Sequence, residues 1–199
     1  FLAAMTYGAV PVPLLHEFKS ANIHHLVNHS EAKILFVDEV IWEGLSESEM
    51  PDLQAIIQVN TFKLLYAGDD RIREAREHLN ELFGRKYPNV FTPDALNYYE
   101  DSAEELAVIN YTSGTTSAPK GVMLRYECIS ENVAFGQKRL PSYPEDKIVS
   151  MLPMAHMYGM MFELIYPLCG GSSIYYLGKT PTPALLLGAM AEVKPYLVI

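Results

Sequence analysis

The amino-acid sequence predicts an α/β fold, with mostly parallel sheets flanked by helices. Two observations carry this. Helix-like and strand-like segments alternate along much of the chain, and strand candidates such as KILFVD and AIIQVN are continuous apolar runs. Runs of that kind suit strands buried on both faces by flanking helices. The composition agrees: 199 residues, 49% hydrophobic and 20% charged, with 13 Pro and 12 Gly, suit a globular chain.

Taken in order, FLAAMTYGA reads as helix and VPVPL as a short extended piece. SANIHHLVNHS reads as a helix with Ser20 at its cap and Ile23, Leu26 and Val27 on one face. Residues 1–60 thus form a first α/β part. Residues 61–100 break the rhythm. They hold one charged amphipathic helix, with Ile72, Ala75, Leu79 and Leu82 inward and Gly84 beyond its end, and then the loop YPNVFTPDALNYYE. This stretch is expected to be an insertion or linker. From Leu106 the alternation resumes: the strand LAVINYT, the loop SGTTSAPKG, a short strand VML, and a helix near 126–138. The strand IVSMLP, a Met-rich helix, the strand SSIYYL, a helix with Pro at its start in PTPALLLGAMAEVK, and a last strand YLVI complete a second part, 101–199.

Charge excludes one class of partner. The net charge is −9, from 15 Lys+Arg against 24 Asp+Glu, with no basic patch to offset it, so a nucleic-acid backbone is repelled. The 2 cysteines, Cys128 and Cys169, have no metal-ligand spacing. His24, His25 and His29 share a helix turn but lack a fourth ligand. With no basic-then-apolar leader at the N-terminus, a reducing, cytoplasmic setting is expected. Because the chain opens within a helix pattern and closes within a strand pattern, a longer protein is expected around it.

Between Lys147 and Lys179 the only acidic or basic residue is Glu163, with His156 as the only other titratable base. Pro153, Pro167 and Gly170-Gly171 divide this stretch, and residues 155–169 make only ~22 Å of helix against a ~30 Å hydrocarbon core. A transmembrane span is therefore not expected, while peripheral contact with a membrane stays open. Met157, Met160, Met161, Leu164, Ile165 and Leu168 follow helical spacing, with Glu163 off that stripe. A buried helix between two strands fits best.

The chemistry concentrates in YTSGTTSAPKGVML, Tyr111 to Leu124. Thr112, Ser113, Thr115, Thr116 and Ser117 surround Gly114, and Pro119-Lys120-Gly121 follows. Small hydroxyl residues and Gly let a backbone approach a polyphosphate and offer O–H and N–H donors, while Lys120 adds a cation. A Walker A loop is excluded: Pro119 stands at its second Gly, and Gly121 replaces its Mg-binding hydroxyl.

This segment resembles the signature loop of the adenylate-forming superfamily, which includes acyl-CoA synthetases, luciferases and peptide-synthetase adenylation domains. GAVPVPL, EAKILFVD and MLPMAHMYGMMFELIYPLCGG follow that family's order. Ser117 departs from the pattern, which usually has Gly there. The resemblance implies part of an N-terminal AMP-binding domain of an acid-thiol ligase, similar to a long-chain fatty-acid-CoA ligase. Such an enzyme activates a carboxylic acid with ATP to an acyl-adenylate and passes it to CoA. The implied phosphate-loop residues are Thr112, Ser113, Gly114, Thr115, Thr116, Ser117 and Lys120, with Thr112 and Lys120 the catalytic pair and Thr112 the Mg²⁺ ligand. His156, Tyr158 and Gly159 of LPMAHMYG would border the acyl or adenylate site. Without the resemblance, His156 reads as a packing or capping residue, and Met151, Met154, Met157, Met160 and Met161 as core.

Amino-acid-activating relatives place an Asp near the position of His156, and AHMYGMM has none. Acyl substrates are thus favoured over aminoacyl ones; an aminoacyl- or aryl-acid-activating enzyme of the same superfamily is the alternative, and a non-catalytic binding module keeping the fold is the rival from another class. The family's later adenine, ribose and C-terminal lysine elements are expected in a C-terminal remainder, without which the chain is expected to be inactive.

Overall fold

Gly8 sets the first boundary. In the computed structural model, which describes residues 1–112 and 119–198, Leu2–Tyr7 forms helix α1 and Gly8 stops it with a left-handed φ of 84°. The N–H groups of Gly8 and Ala9 return to the carbonyls of Met5 and Ala4, a closure that the lack of a Cβ makes cheap. The chain divides into two units: Phe1–Leu15 with Glu100–Ile199, and His16–Tyr99.

Within His16–Tyr99, helix α2 (Ser20–His29) buries Ile23, Leu26 and Val27, as their spacing requires. Ser20 is its first helical residue; the cap position is Lys19, whose side chain makes no capping bond. Strand β1 (Ile34–Val37) leads to the short helix α3 (Glu39–Trp42), capped by the Asp38 carboxylate accepting from Val40 N–H at 3.1 Å. Strands β2 (Ala55–Gln58) and β3 (Leu64–Ala67) complete a sheet of order β1-β2-β3. Burial on both faces holds for β2, at the centre, but not for β1: Ile34 and Phe36 at the edge are each 52% exposed.

β3 corrects the reading of 61–100 as an insertion or linker, because it pairs with β2 through a tight hairpin. Phe62 adopts a φ of 55° there and returns its N–H to the Gln58 carbonyl at 2.9 Å. After it come two helices, not one: α4 (Asp70–Glu77) and α5 (Leu79–Lys86), broken at His78, where ψ is 18°. Gly84 lies inside α5, and Leu79 and Leu82 are exposed.

In the other unit, β4 (Leu106–Thr112) and β5 (Lys120–Arg125) form an antiparallel hairpin followed by helix α6 (Tyr126–Arg139). The VPVPL segment runs beside β4, where the Pro11 carbonyl accepts from Ile109 N–H. Strand β6 (Lys147–Ser150) precedes the Met-rich helix. That helix comprises α7 (Met157–Met160), a π-helical stretch Met161–Ile165, and α8 (Tyr166–Gly170). Strand β7 (Ser173–Tyr176) pairs parallel to β6, and α9 (Pro183–Val193) starts at a Thr182 cap. The strand expected in YLVI is represented by a single parallel bridge, Ile148 to Leu197.

The α/β class stands. Pairing is mixed rather than mostly parallel: β1–β2 and β6–β7 are parallel, while β2–β3 and β4–β5 are antiparallel. Short connections dictate the difference, since only a crossover can return a strand parallel to its neighbour. Ala107 and Val108 of β4, Ile129 of α6, and Met160, Met161, Ile165 and Tyr166 of the Met-rich helix form one core. This core fixes the hairpin against that helix. Among the described residues no helix is long and apolar enough to cross a membrane.

Candidate active site

The hairpin register brings the first two candidate residues together. Thr112 at the end of β4 and Lys120 at the start of β5 are direct partners across the antiparallel pair. Residues so paired project from the same face, which puts one hydroxyl and one ammonium side by side where the hydroxyl-rich segment begins and ends. Asn110, two residues back, shares that face by strand alternation. On the other face Tyr111 lies opposite Gly121. A Cβ on Gly121 would stand 3.1 Å from the Tyr111 ring and 3.2 Å from the Ile109 side chain, so Gly allows this approach without displacing either. Ser113, Gly114, Thr115, Thr116 and Ser117 lie outside the described residues.

The second cluster is the turn from Ser150 to His156. Buried Asn110 donates from Nδ2 to the Ala155 carbonyl at 2.9 Å, so this turn is tied to the Thr112–Lys120 face of the hairpin. His156 occupies the cap of α7, with Nδ1 accepting from Tyr158 N–H at 3.3 Å. Its exposed ring is therefore oriented by its own helix start. Tyr158 is exposed and packs its ring on Phe162, with centroids 4.9 Å apart. Gly159 is buried, and a Cβ there would come within 2.9 Å of both the Leu152 side chain and the Pro153 carbonyl. The missing Cβ thus lets the helix start close on the turn.

Glu163 differs from its expected place off the apolar stripe: it is 0% exposed. The π-helical stretch Met161–Ile165 accounts for this, since its wider turn shifts the phase of the helix. From this stretch onward the buried face is Met161, Glu163, Ile165, Tyr166 and Pro167, and Leu168 is exposed. Glu163 Oε2 accepts from Ser150 Oγ (3.1 Å), Met151 N–H (2.9 Å) and Leu152 N–H (2.8 Å). Tyr166 seats its ring against Gly136 of α6 and donates its hydroxyl to the Leu140 carbonyl. Burial pushes its phenol above the ordinary value.

Sequence reasoning missed two residues, Asn110 and Glu163. Each is polar within an apolar run, the one signal that marked them, and a buried polar side chain requires partners. Among the described residues no group of three His, Cys, Asp or Glu is placed to hold a metal. His24 instead accepts the Ser46 N–H at 3.1 Å, a structural contact.

Fold and hairpin together define an α/β domain of the adenylate-forming kind. The anthranilate CoA ligase AuaEII, in complex with anthranoyl-AMP, matches 97% of this chain and 35% of its own, with a TM-score of 0.75 at 20% identity. ATP-bound MatB from Rhodopseudomonas palustris matches 96% of this chain and 34% of its own, with a TM-score of 0.72 and 20% identity. These similarities establish the fold. The model of the AMP-binding enzyme family matches residues 1–199, and the chain belongs to that family.

Long-chain-fatty-acid–CoA ligase 5 of Rattus norvegicus is 28% identical over 204 residues, covering 98% of this chain and 29% of the relative. Long-chain-fatty-acid–CoA ligase 1 of Homo sapiens is 30% identical over 184 residues, covering 84% and 25%. The chain thus spans less than a third of the relatives it matches. An Arabidopsis thaliana relative, 28% identical, is named as peroxisomal, so the similarity does not carry the cytoplasmic expectation.

Proposed function

We propose that the protein to which this chain belongs activates a carboxylic acid, foremost a fatty acid, with ATP and transfers the acyl group to CoA. The observation that carries this is the pairing of Thr112 with Lys120 on the hairpin face that also holds the 150–156 turn through Asn110. Phosphate-binding chemistry and the segment assigned to the acyl side then share one surface.

In the first step a carboxylate oxygen attacks the α-phosphorus of ATP. A P–O bond forms, the bond to the β-phosphate oxygen breaks, and pyrophosphate leaves. The nucleophile is already ionised, so no general base is required. The protein contributes alignment and charge compensation. Lys120 compensates the phosphate tail, and Thr112 and the hydroxyls of 113–117 donate hydrogen bonds to its oxygens. In the second step the CoA thiol loses its proton, its sulfur bonds to the acyl carbon, and AMP leaves.

Mg²⁺ fits this arrangement through Thr112, because that ion retains waters and phosphate oxygens and takes few protein ligands. It would supply charge neutralisation on the phosphates. Chemistry and similarity favour fatty over aminoacyl acids: AHMYGMM carries no Asp for an ammonium, and the relatives above are named as long-chain-fatty-acid ligases.

The test is acid-dependent pyrophosphate exchange into ATP by the full-length protein, with acetate, palmitate, benzoate and phenylalanine compared. Exchange with palmitate at least about tenfold above the other three is expected, matching the 1–3 kcal/mol that a shaped apolar pocket contributes per recognised group. Exchange highest with phenylalanine or benzoate would replace the fatty-acid reading, and none with any acid would favour a binding module.

A further inference from the structure

Glu163 is the buried carboxylate that the reaction above does not use. It sits in the π-helical stretch Met161–Ile165, where the extra backbone width turns it inward toward the end of β6. One oxygen, Oε2, gathers the Ser150 hydroxyl and the Met151 and Leu152 N–H groups. The other, Oε1, is buried and has no hydrogen-bond partner among the described residues. Burying a carboxylate is costly unless hydrogen bonds compensate it, and the three bonds at Oε2 supply that compensation here.

What those bonds do is visible in the chain they hold. Ser150, Met151 and Leu152 form the stem of the turn to His156. Asn110 anchors the far side of the turn at Ala155, and Gly159 lets the helix start close on Leu152 and Pro153. The turn is thus held at its stem by Glu163 and at its tip by the hairpin. Strand β7 also reaches the stem, where the Leu177 N–H donates to the Ser150 carbonyl, but Glu163 is the side chain that binds all three stem residues.

We propose that Glu163 is a positioning residue: its Oε2 sets the 150–156 turn, and with it the carboxylic-acid side of the site, through geometry rather than charge. The assignment of this turn to the acid side rests on the function proposed above. Glutamine keeps an oxygen at the same reach for the three donors and puts its NH₂ where Oε1 has no partner. Aspartate keeps the charge but withdraws the oxygens by one methylene.

In the full-length protein, Glu163→Asp should raise the KM for the acid about three- to tenfold, the loss expected for a hydrogen bond or two. The KM for ATP should stay within about twofold, and Glu163→Gln should keep both KM values within about twofold of wild type. Ser150→Ala, which removes one donor from an intact strand end, is the milder case and keeps the test open if Glu163→Asp does not fold. It should raise the acid KM about two- to fourfold and leave the ATP KM unchanged.

A loss in Glu163→Gln equal to or larger than that in Glu163→Asp would overturn the proposal, since an oxygen at the right reach would then not be enough without the carboxylate charge. Acid and ATP KM values rising together would overturn it, as would a lower Tm with neither KM changed. Amide hydrogen exchange of a peptide covering 150–153 reads the clamp without activity. It should quicken roughly tenfold in Glu163→Asp and hold near wild type in Glu163→Gln. If the wild-type protein forms no acyl-adenylate, the proposed function fails, and this exchange contrast alone decides the clamp: its presence supports it and its absence overturns it.

Discussion

At the scale of single residues, the site depends on two glycines for different steric reasons. Gly121 lies beneath the Tyr111 ring at a paired position of the hairpin, where an added Cβ meets ring and Ile109 atoms at 3.1 and 3.2 Å. Those contacts exceed normal closeness by a few tenths of an ångström, and a ring can tilt to relieve them. Gly121→Ala should therefore cost about 1 kcal/mol and lower the Tm by a few degrees, measured by calorimetry. Gly159 faces backbone: a Cβ would sit 2.9 Å from the Pro153 carbonyl oxygen and from the Leu152 Cβ, neither of which can swing away. Gly159→Ala should be the more severe, about 2–3 kcal/mol in chemical denaturation. A loss below that of Gly121→Ala would mean that the turn is looser than its contacts indicate.

At the scale of elements, the informative comparison is between what local pattern predicts and what pairing decides. Apolar periodicity located α2 and its buried face, Ile23, Leu26 and Val27, because a helix is a local structure. LAVINYT leading into the hydroxyl-rich segment, and Pro183 opening α9 after Thr182, were legible for the same reason. Partner direction was not. That Lys120 begins β5 and folds back on Thr112 follows from long-range pairing, and the short strand seen in VML understated it. The strand Leu64–Ala67 hid behind Phe62, whose positive φ is rare outside Gly, Asn and Asp. A 3.6-residue period placed Glu163 off the buried stripe, and the π-helical stretch moved it inside. The candidate site was therefore readable in the sequence only as residue types in order, YTSGTTSAPKG and LPMAHMYG, with no geometry attached. The residues that join the two segments, Asn110 and Glu163, emerge only from the fold.

At the scale of the whole molecule, the central claim is that the hairpin carrying Thr112 and Lys120 binds the phosphate tail of ATP during acyl-adenylate formation. The chain belongs to the AMP-binding enzyme family but spans only 29% of the rat ligase it resembles, so the claim is tested in the full-length protein. The decisive measurement is Lys120→Ala in the two half-reactions taken separately. Adenylation, followed as palmitate-dependent pyrophosphate exchange, should fall roughly ten- to hundredfold, the effect of losing a charge-assisted contact of about 1.5–3 kcal/mol. Thioester formation from preformed acyl-adenylate, in which no pyrophosphate takes part, should remain within about twofold of wild type. Equal loss in both half-reactions would make Lys120 a structural residue, and an unchanged adenylation rate would place the phosphate tail away from this hairpin.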